Sequence, residues 1–278
     1  MKIVLGIDIG GSTTKVAAFD ENRRVIALQQ VRAADQITCL YGAIGRLLHE
    51  SGLTLDQLSQ LVLTGVGAAL TDGDIYGIPT SRVREFEAIG RGGLLLSHLR
   101  EALIVSMGTG TAFVRASGSE SIHIGGSGVG GGTLIGLSKA LFEESDIEAI
   151  LSRAESGSLD NVDLMIRDIS NGEIPSLPAH ATASNFGKLK STATDGDLAL
   201  GLMNMVYQTA GMLAVFACTG AGIQNAVFTG SLASLPQARV FLGDVGALYP
   251  RLNFVIPDNA TYATALGAAS LAFENEAF

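Results

Sequence analysis

The sequence predicts an α/β protein made of two similar halves. Short apolar runs of the kind that form buried strands alternate with helical periodicities along the chain. A strand, a glycine turn and a second strand occur near Asp8 and again near Thr109. The 35 glycines are concentrated in such turns rather than spread through a repeat, which indicates local use at tight bends. We therefore expect two related half-domains, residues 1–100 and residues 101–278.

The sequence pattern of the first half predicts four strands and two helices. Lys2 to Ile9 is an almost continuous apolar run, which is typical of a strand buried on both faces. Ile37 to Leu48 has apolar residues at helical spacing, with Asp35 in position to cap the helix. The remaining predicted elements are the strands Thr14 to Phe19, Val25 to Gln30 and Leu61 to Thr64, and the helix Glu85 to Leu99.

The second half repeats this pattern and extends it. Asp195 to Thr219 is apolar nearly all round, and such a helix is normally buried in a core or in a subunit interface. The other predicted helices are Leu134 to Leu141, Ile147 to Leu151, Asp163 to Ile169, Leu235 to Leu248 and Ala260 to Phe273. The predicted strands are Ala102 to Met107, Ala112 to Ala116, Ser121 to Ile124, Ala226 to Thr229 and Phe254 to Ile256.

The overall composition disfavours several classes of function. The chain carries 18 basic and 27 acidic residues, a net charge of −9 without a basic stripe, which disfavours nucleic-acid binding. The sequence has no uninterrupted apolar stretch of membrane-spanning length and no signal-peptide pattern. Cys39 and Cys218 form no paired motif, and their apolar context is typical of core thiols. We expect a cytoplasmic protein without nucleic-acid or membrane partners.

The first glycine turn predicts a phosphate-binding site. A buried strand delivers Asp8 to its end, and the glycines that follow allow backbone N–H groups to approach a polyphosphate. Because a carboxylate repels phosphate, we expect Asp8 to hold Mg²⁺ through water. The alternative is an ordinary β-turn in which Asp8 is only a turn acceptor. The predicted phosphate-binding residues of this turn are Asp8, Gly10, Gly11, Ser12, Thr13 and Lys15.

Two further turns resemble the first. Ser106-Met107-Gly108-Thr109-Gly110-Thr111 places hydroxyls where the first turn has its carboxylate, and Phe228-Thr229-Gly230-Ser231-Leu232 ends a strand at a glycine. Each is weak evidence alone. In this order and spacing, the three turns resemble the phosphate-1, phosphate-2 and adenosine elements of the actin/Hsp70/sugar-kinase superfamily. The resemblance implies a two-domain actin-like ATPase (ribonuclease H-like) fold that binds ATP and Mg²⁺ in the cleft between its domains.

Several stretches resemble one family of that superfamily, the type II pantothenate kinases. They are Glu85-Phe86-Glu87-Ala88, the glycine-rich run Gly125 to Thr133, Ala183-Ser184-Asn185-Phe186-Gly187, and Ala265-Leu266-Gly267-Ala268. The resemblance implies phosphorylation of pantothenate to 4′-phosphopantothenate, with a homodimer and coenzyme A as a candidate feedback ligand. It implies Glu85 as the general base, although the residue type alone equally fits a carboxylate at a helix terminus.

The resemblance also implies the remaining site residues. The implied phosphate-2 residues are Gly108, Thr109 and Gly110. The implied adenosine-binding residues are Gly130, Gly131, Gly132, Thr229, Gly230 and Ser231. The implied acceptor-binding residues are Thr109, Thr111 and His123.

The sequence departs from the family at two positions. His123 stands where members commonly carry an arginine before the glycine-rich run, and Ser106 stands where they often carry asparagine. Two alternatives stay open. One is an activator ATPase of the 2-hydroxyacyl-CoA dehydratase kind, which would need paired cysteines for an iron–sulfur cluster. The other is a nucleotide-binding module without catalysis.

Overall fold

The computed structural model describes residues 2–32, 35–172, 174–175 and 177–273. The strands are β1 (Ile3–Ile9), β2 (Thr13–Phe19), β3 (Val25–Arg32), β4 (Leu58–Thr64), β5 (Thr80–Arg82), β6 (Glu101–Met107), β7 (Thr111–Ser117), β8 (Glu120–Ser127), β9 (Leu164–Met165), β10 (Thr182–Ser184), β11 (Asn225–Thr229) and β12 (Asn253–Val255). The α-helices are α1 (Gln36–Ser51), α2 (Glu85–Ser97), α3 (Gly131–Phe142), α4 (Ile147–Ala154), α5 (Ile166–Ile169), α6 (Asp195–Ala221), α7 (Pro236–Ala247) and α8 (Ala263–Ala272).

The two large sheets of the described chain have the same architecture. Their strand orders are β3-β2-β1-β4-β5 and β8-β7-β6-β11-β12, each with five strands. In both, the first three strands pair antiparallel and the last three pair parallel. This equivalence confirms that the strand and glycine-turn pattern of the sequence marks two related halves.

Each sheet is covered by helices that bury its apolar residues. Helix α1 packs its apolar stripe on the first sheet, and its N-cap is Asp35, whose side chain accepts a hydrogen bond from Thr38 N. Helix α6 lies at the centre of the core beside the second sheet. By length and composition α6 could cross a membrane, but 61% of its most apolar window is buried, as in the core helix of a globular protein.

Helices α2 and α8 connect the two halves through glycine contacts. A Cβ on Gly92 would collide with the carbonyl oxygen of Ala263, and one on Gly267 would collide with that of Ala88. The absence of side chains therefore lets the two helix backbones approach closely. Helix α8 also packs against the first sheet, although it ends the described chain. The division at residue 100 stays a prediction. Helix α8 belongs to the second half by sequence but packs on the sheet of the first half.

Most predicted elements are confirmed, with one clear error. The predicted helix Asp163 to Ile169 is wrong in its first part: Leu164–Met165 forms β9, and only Ile166–Ile169 is helical. The reason is long-range: Asp163 accepts a hydrogen bond from Phe186 N, and β9 pairs with β10. The short strands β5 and β10 were not predicted. The predicted helix from Ala260 begins as a 3-10 turn before α8.

Candidate active site

A large cavity lies between the two sheets, and most of the predicted site residues line it. Its volume is about 920 Å³, within the range of small-molecule sites in proteins. The lining includes these predicted residues: Asp8, Gly10, Gly11, Ser12, Thr13, Lys15, Glu85, Gly108, Thr109, Gly110, Thr111, Gly131, Gly132, Gly230 and Ser231. Three predicted residues, Gly130, Thr229 and His123, lie outside this lining.

The first glycine turn connects β1 to β2 beneath the cavity. The Gly10 N–H donates to the carbonyl of Thr13 at 3.0 Å, which closes the turn, and the side chain of Gln36 donates to the carbonyl of Gly10 at 3.1 Å. Asp8 is buried at the end of β1. Gly65, at the end of the neighbouring strand β4, leaves room for it, since a Cβ there would lie 2.7 Å from Asp8 Oδ1. The turn is thus closed by the backbone and held in place by α1.

The second glycine turn packs directly against the start of α3. Gly131 N donates to Gly108 O and Gly132 N donates to Thr109 O, both at 2.9 Å. A Cβ on Gly130 would lie 2.7 Å from Thr109 O, so Gly130 is required for this backbone contact. Gly130 therefore supports the turn from behind, while Gly131 and Gly132 reach the cavity. The glycine-rich run places the N-terminus of a 12-residue helix at the cavity, where it favours negative charge.

The third turn lies beside the second. Gly230 has φ +91°, which side chains rarely adopt, and a Cβ there would lie 2.5 Å from Met107 O. Leu232 N donates to Met107 O at 3.2 Å, and the buried Tyr207 hydroxyl donates to Leu232 O at 2.8 Å. Thr229 is buried beneath this turn, and its hydroxyl has no partner among the described residues. The turn is therefore anchored both to β6 and to α6.

Two carboxylates, Asp8 and Glu85, meet at the cavity. Glu85 begins α2, and burial raises the pKa of its carboxyl, with the nearby Asp8 carboxylate raising it further. Burial likewise raises the pKa of Asp8, and the positive charge of Lys15 opposes that shift. A carboxylate with a raised pKa has more affinity for a proton and is suited to act as a general base. Glu87 is not among the cavity-lining residues, so the structure distinguishes the two glutamates of the motif.

His123 lies on β8 at the surface. Its ring stacks on that of Phe86, with centroids 3.9 Å apart and planes 4° from parallel. Phe86 directly follows Glu85, so His123 is near the site without lining the cavity. Thr111 does line it, but its hydroxyl donates to Val129 O at 2.8 Å. The acceptor-binding roles of His123 and Thr111 stay predictions.

Several cavity residues were not found by sequence reasoning. Gln30 and Arg32 enter from β3, and Val66 follows β4. Ser145 lies just before α4 and Glu148 in its first turn. Gln30 ends the predicted strand Val25 to Gln30, whereas Arg32 lies two residues beyond it. The observed β3 extends to Arg32, and the two side chains share one face because they alternate with Val31. Ser145 and Glu148 carry no comparable local pattern.

The cavity fits Mg²⁺ bound through water better than a directly ligated metal. Among the residues described, no group of three or more His, Cys, Asp or Glu is placed to hold an ion. Mg²⁺ commonly keeps its waters and is held by one or two carboxylates together with substrate phosphates. Asp8, buried beside the hydroxyl-bearing first turn, is suited to that role.

Comparison with known proteins places the chain in a family. Residues 98–239 match the family profile described as Fumble, which spans about half of the chain. The chain belongs to the Fumble family. This is the type II pantothenate kinase family, so the recognition drawn from the sequence is confirmed and the chain is an ATP-dependent kinase. Curated relatives include the type II pantothenate kinases of Staphylococcus aureus strains USA300 and bovine RF122, each 27% identical over 236 residues, covering 82% of this chain and 84% of theirs.

Solved structures confirm the fold of this Fumble member. Component A of (R)-2-hydroxyglutaryl-CoA dehydratase from Acidaminococcus fermentans superposes with a TM-score of 0.68 at 16% identity, over 100% of both chains. The activator of 2-hydroxyisocaproyl-CoA dehydratase from Clostridium difficile, with bound ADPNP, gives 0.67 at 18% identity, over 98% of this chain and 95% of that one. A ROK family glucokinase from Streptomyces griseus, in complex with glucose and AMPPNP, gives 0.61 at 13%, over 98% and 99%. These likenesses confirm the actin-like ATPase fold alone.

Proposed function

We propose that this protein is a pantothenate kinase, which transfers the γ-phosphoryl group of ATP to the primary hydroxyl of pantothenate and so begins coenzyme A synthesis. The observation that carries the proposal is the meeting of Glu85 and Asp8 in the same cavity as three glycine turns. A kinase needs a phosphate cradle, a carboxylate for the metal and a base for the acceptor in one place. The Fumble membership supports pantothenate as that acceptor.

The nucleotide is expected to lie along the three glycine turns. The first two turns offer backbone N–H groups and hydroxyls to the phosphates, and Lys15 adds a positive charge. Ile135, Ile147 and Leu235 also line the cavity, and their side chains offer apolar surface on which an adenine ring can stack. Asp8 would hold Mg²⁺ through water, and Mg²⁺ supplies charge neutralisation to the phosphates when bound.

Glu85 is expected to act on the acceptor. Its carboxylate accepts the proton of the primary hydroxyl as the oxygen attacks the γ-phosphorus, and ADP leaves. The raised pKa of Glu85 makes this transfer more favourable than it would be for an exposed glutamate. Ile89 lies one helical turn further along α2 and lines the same cavity, so it offers an apolar wall beside the reacting hydroxyl.

We further propose a homodimer and a cytoplasmic location. Phe216 on α6 is 64% exposed and Val240 on α7 is 61% exposed, so apolar side chains of the two helices remain outside the core. Exposed apolar groups of this kind are used in subunit interfaces. The burial of most of α6 supports a role in the fold rather than in a membrane. Coenzyme A as a feedback ligand stays a prediction.

The positions of the two cysteines argue against the alternative of an activator ATPase with an iron–sulfur cluster. Cys39 and Cys218 are 3% and 0% exposed, and they lie on different helices, α1 and α6. Burial raises the pKa of Cys218 to about 11, which disfavours the thiolate that a cluster requires. Neither thiol is therefore placed to hold an exposed iron–sulfur cluster.

An acceptor screen tests the proposed function. The purified protein is incubated with ATP and Mg²⁺, and ADP release is measured with pantothenate, pantetheine, glucose or no acceptor. We expect release with pantothenate well above the acceptor-free rate and none above it with glucose. Release that does not depend on any acceptor would favour the ATPase alternatives, and absorbance of an iron–sulfur cluster would favour the activator.

A further inference from the structure

Strand β3 contributes a polar row to the cavity that the proposed chemistry leaves unused. Lys15 on β2 pairs with Gln30 on β3, and Thr13 pairs with Arg32. Paired residues of neighbouring strands point to the same side of a sheet, and Asp8 pairs with Lys15 in turn. All five residues line the cavity, which confirms that this face of the first sheet is directed toward it.

The charges around the cavity single out Arg32. The described lining holds three carboxylates, Asp8, Glu85 and Glu148, against two cations, Lys15 and Arg32. Lys15 is buried next to Asp8, and the two charges interact. Arg32 is exposed to the cavity and has no carboxylate partner among the described residues. In a protein of net charge −9, an unpaired guanidinium inside a ligand cavity is a specific site for an anionic group.

The distance between Arg32 and Asp8 is comparable with the length of the proposed acceptor. Two strand spacings and a two-residue offset place its Cα roughly 12 Å from that of Asp8, where phosphoryl transfer occurs. In pantothenate, the primary hydroxyl and the carboxylate are separated by about eight bonds, roughly 10 Å when extended. A pantothenate with its hydroxyl at Glu85 can therefore present its carboxylate to the edge strand. The glycine turns and Lys15 already offer donors and a positive charge to the phosphates.

We propose that Arg32, with Gln30 beside it, binds the carboxylate of the acceptor. Arg32 is then a determinant of acceptor specificity. The assignment rests on the proposed function. Arg32 is a cation inside the cavity. By contrast, His123, which occupies the position of the family arginine, stacks on Phe86 and lies outside the cavity lining. Guanidinium groups bind carboxylates through two parallel hydrogen bonds, and Gln30 adds an amide donor.

Steady-state kinetics with two acceptors test the assignment. Pantetheine has the same reacting end as pantothenate but no carboxylate. We expect Arg32→Gln to raise KM for pantothenate about tenfold or more, the effect of losing a charge-assisted hydrogen bond, with kcat little changed. KM for pantetheine and KM for ATP should remain at wild-type values. Arg32→Lys should recover part of the affinity, because it restores the charge without the two-pronged geometry.

The matched control is Arg24→Gln. Arg24 is exposed just before β3 and lies outside the cavity lining. Its substitution removes the same charge and should change neither KM for pantothenate nor KM for pantetheine. Melting temperatures of both variants verify that the fold is retained. A higher KM for ATP in Arg32→Gln would assign Arg32 to the phosphates and overturn the proposal. So would an equal loss with both acceptors, or a pantothenate-specific loss in His123→Gln but not in Arg32→Gln. If the wild type phosphorylates neither acceptor, the proposed function itself fails.

Discussion

Asp163 provides a test of how the structure is stabilised beside the Asn185-Phe186-Gly187 segment. The residue is 0% exposed, and its carboxylate receives four hydrogen bonds. Oδ1 accepts from Phe186 N at 2.8 Å, and Oδ2 accepts from Asn204 Nδ2 at 2.7 Å. Thr182 Oγ1 and Asn185 Nδ2 also donate to Oδ2, at 3.2 and 3.4 Å. One buried carboxylate therefore ties the 182–187 segment to α6.

Asp163→Asn keeps the shape of the side chain but replaces one acceptor oxygen by a donor. Either orientation of the new amide directs its NH₂ group at Phe186 N or at the Asn204 side chain, both of which are donors. One charge-assisted bond is lost and one buried donor is left unpaired, which we estimate to cost about 3 kcal/mol. For a protein of this size, that corresponds to a fall in Tm of roughly 6–12 °C.

Thermal unfolding followed by circular dichroism measures this effect. The matched control is Asp160→Asn, three residues away, where an exposed carboxylate pairs with exposed Arg167. Surface ion pairs of this kind contribute little, so the control should melt close to wild type. KM for ATP should be unchanged in both, since neither residue lines the cavity. A Tm for Asp163→Asn no lower than that of Asp160→Asn would show that the buried carboxylate does not stabilise the fold.

Four further predictions concern the cavity. Glu85→Gln should lower kcat about 10²-fold with KM for ATP unchanged, and Glu87→Gln should do far less; the reverse order in steady-state assays would identify Glu87 as the base. The base must be deprotonated, and the pKa of Glu85 is raised. As the pH is lowered, a pH–rate profile should therefore show activity falling at a higher pH than the titration of an ordinary glutamate would cause. Asp8→Asn should abolish turnover without lowering Tm; near-normal rates at limiting Mg²⁺ would contradict its metal role. Gly230→Ala should raise KM for ATP and lower Tm, because a Cβ would lie 2.5 Å from Met107 O.

The turns that carry the chemistry were predictable because their signals are local. A buried strand ending in a carboxylate and two glycines, as at Asp8 to Gly11, specifies both its conformation and its ligand class. The equivalent order of the two sheets follows from the repetition of that unit near Thr109. Burial of α6 was predictable from its uniformly apolar surface.

The remaining features depend on contacts between distant parts of the chain. The segment Asp163 to Ile169 is predicted to be helical, yet the pairing of β9 with β10 and the buried Asp163 carboxylate prevent a helix at residues 163–165. Arg32 enters the site only because its pairing with Thr13 directs it to the cavity face. Ser145 and Glu148 reach the cavity through the packing of α4 against α6, which local sequence does not specify.

In the proposed reaction, one cavity transfers a phosphoryl group from ATP to the primary hydroxyl of pantothenate. The most direct measurement follows ³²P from γ-labelled ATP and determines where it is bound in the product, with wild type and Glu85→Gln in parallel. We expect one labelled 4′-phosphopantothenate for each ADP formed, at a rate strongly reduced in the variant. Label found only as inorganic phosphate, at equal rates in both proteins, would contradict it.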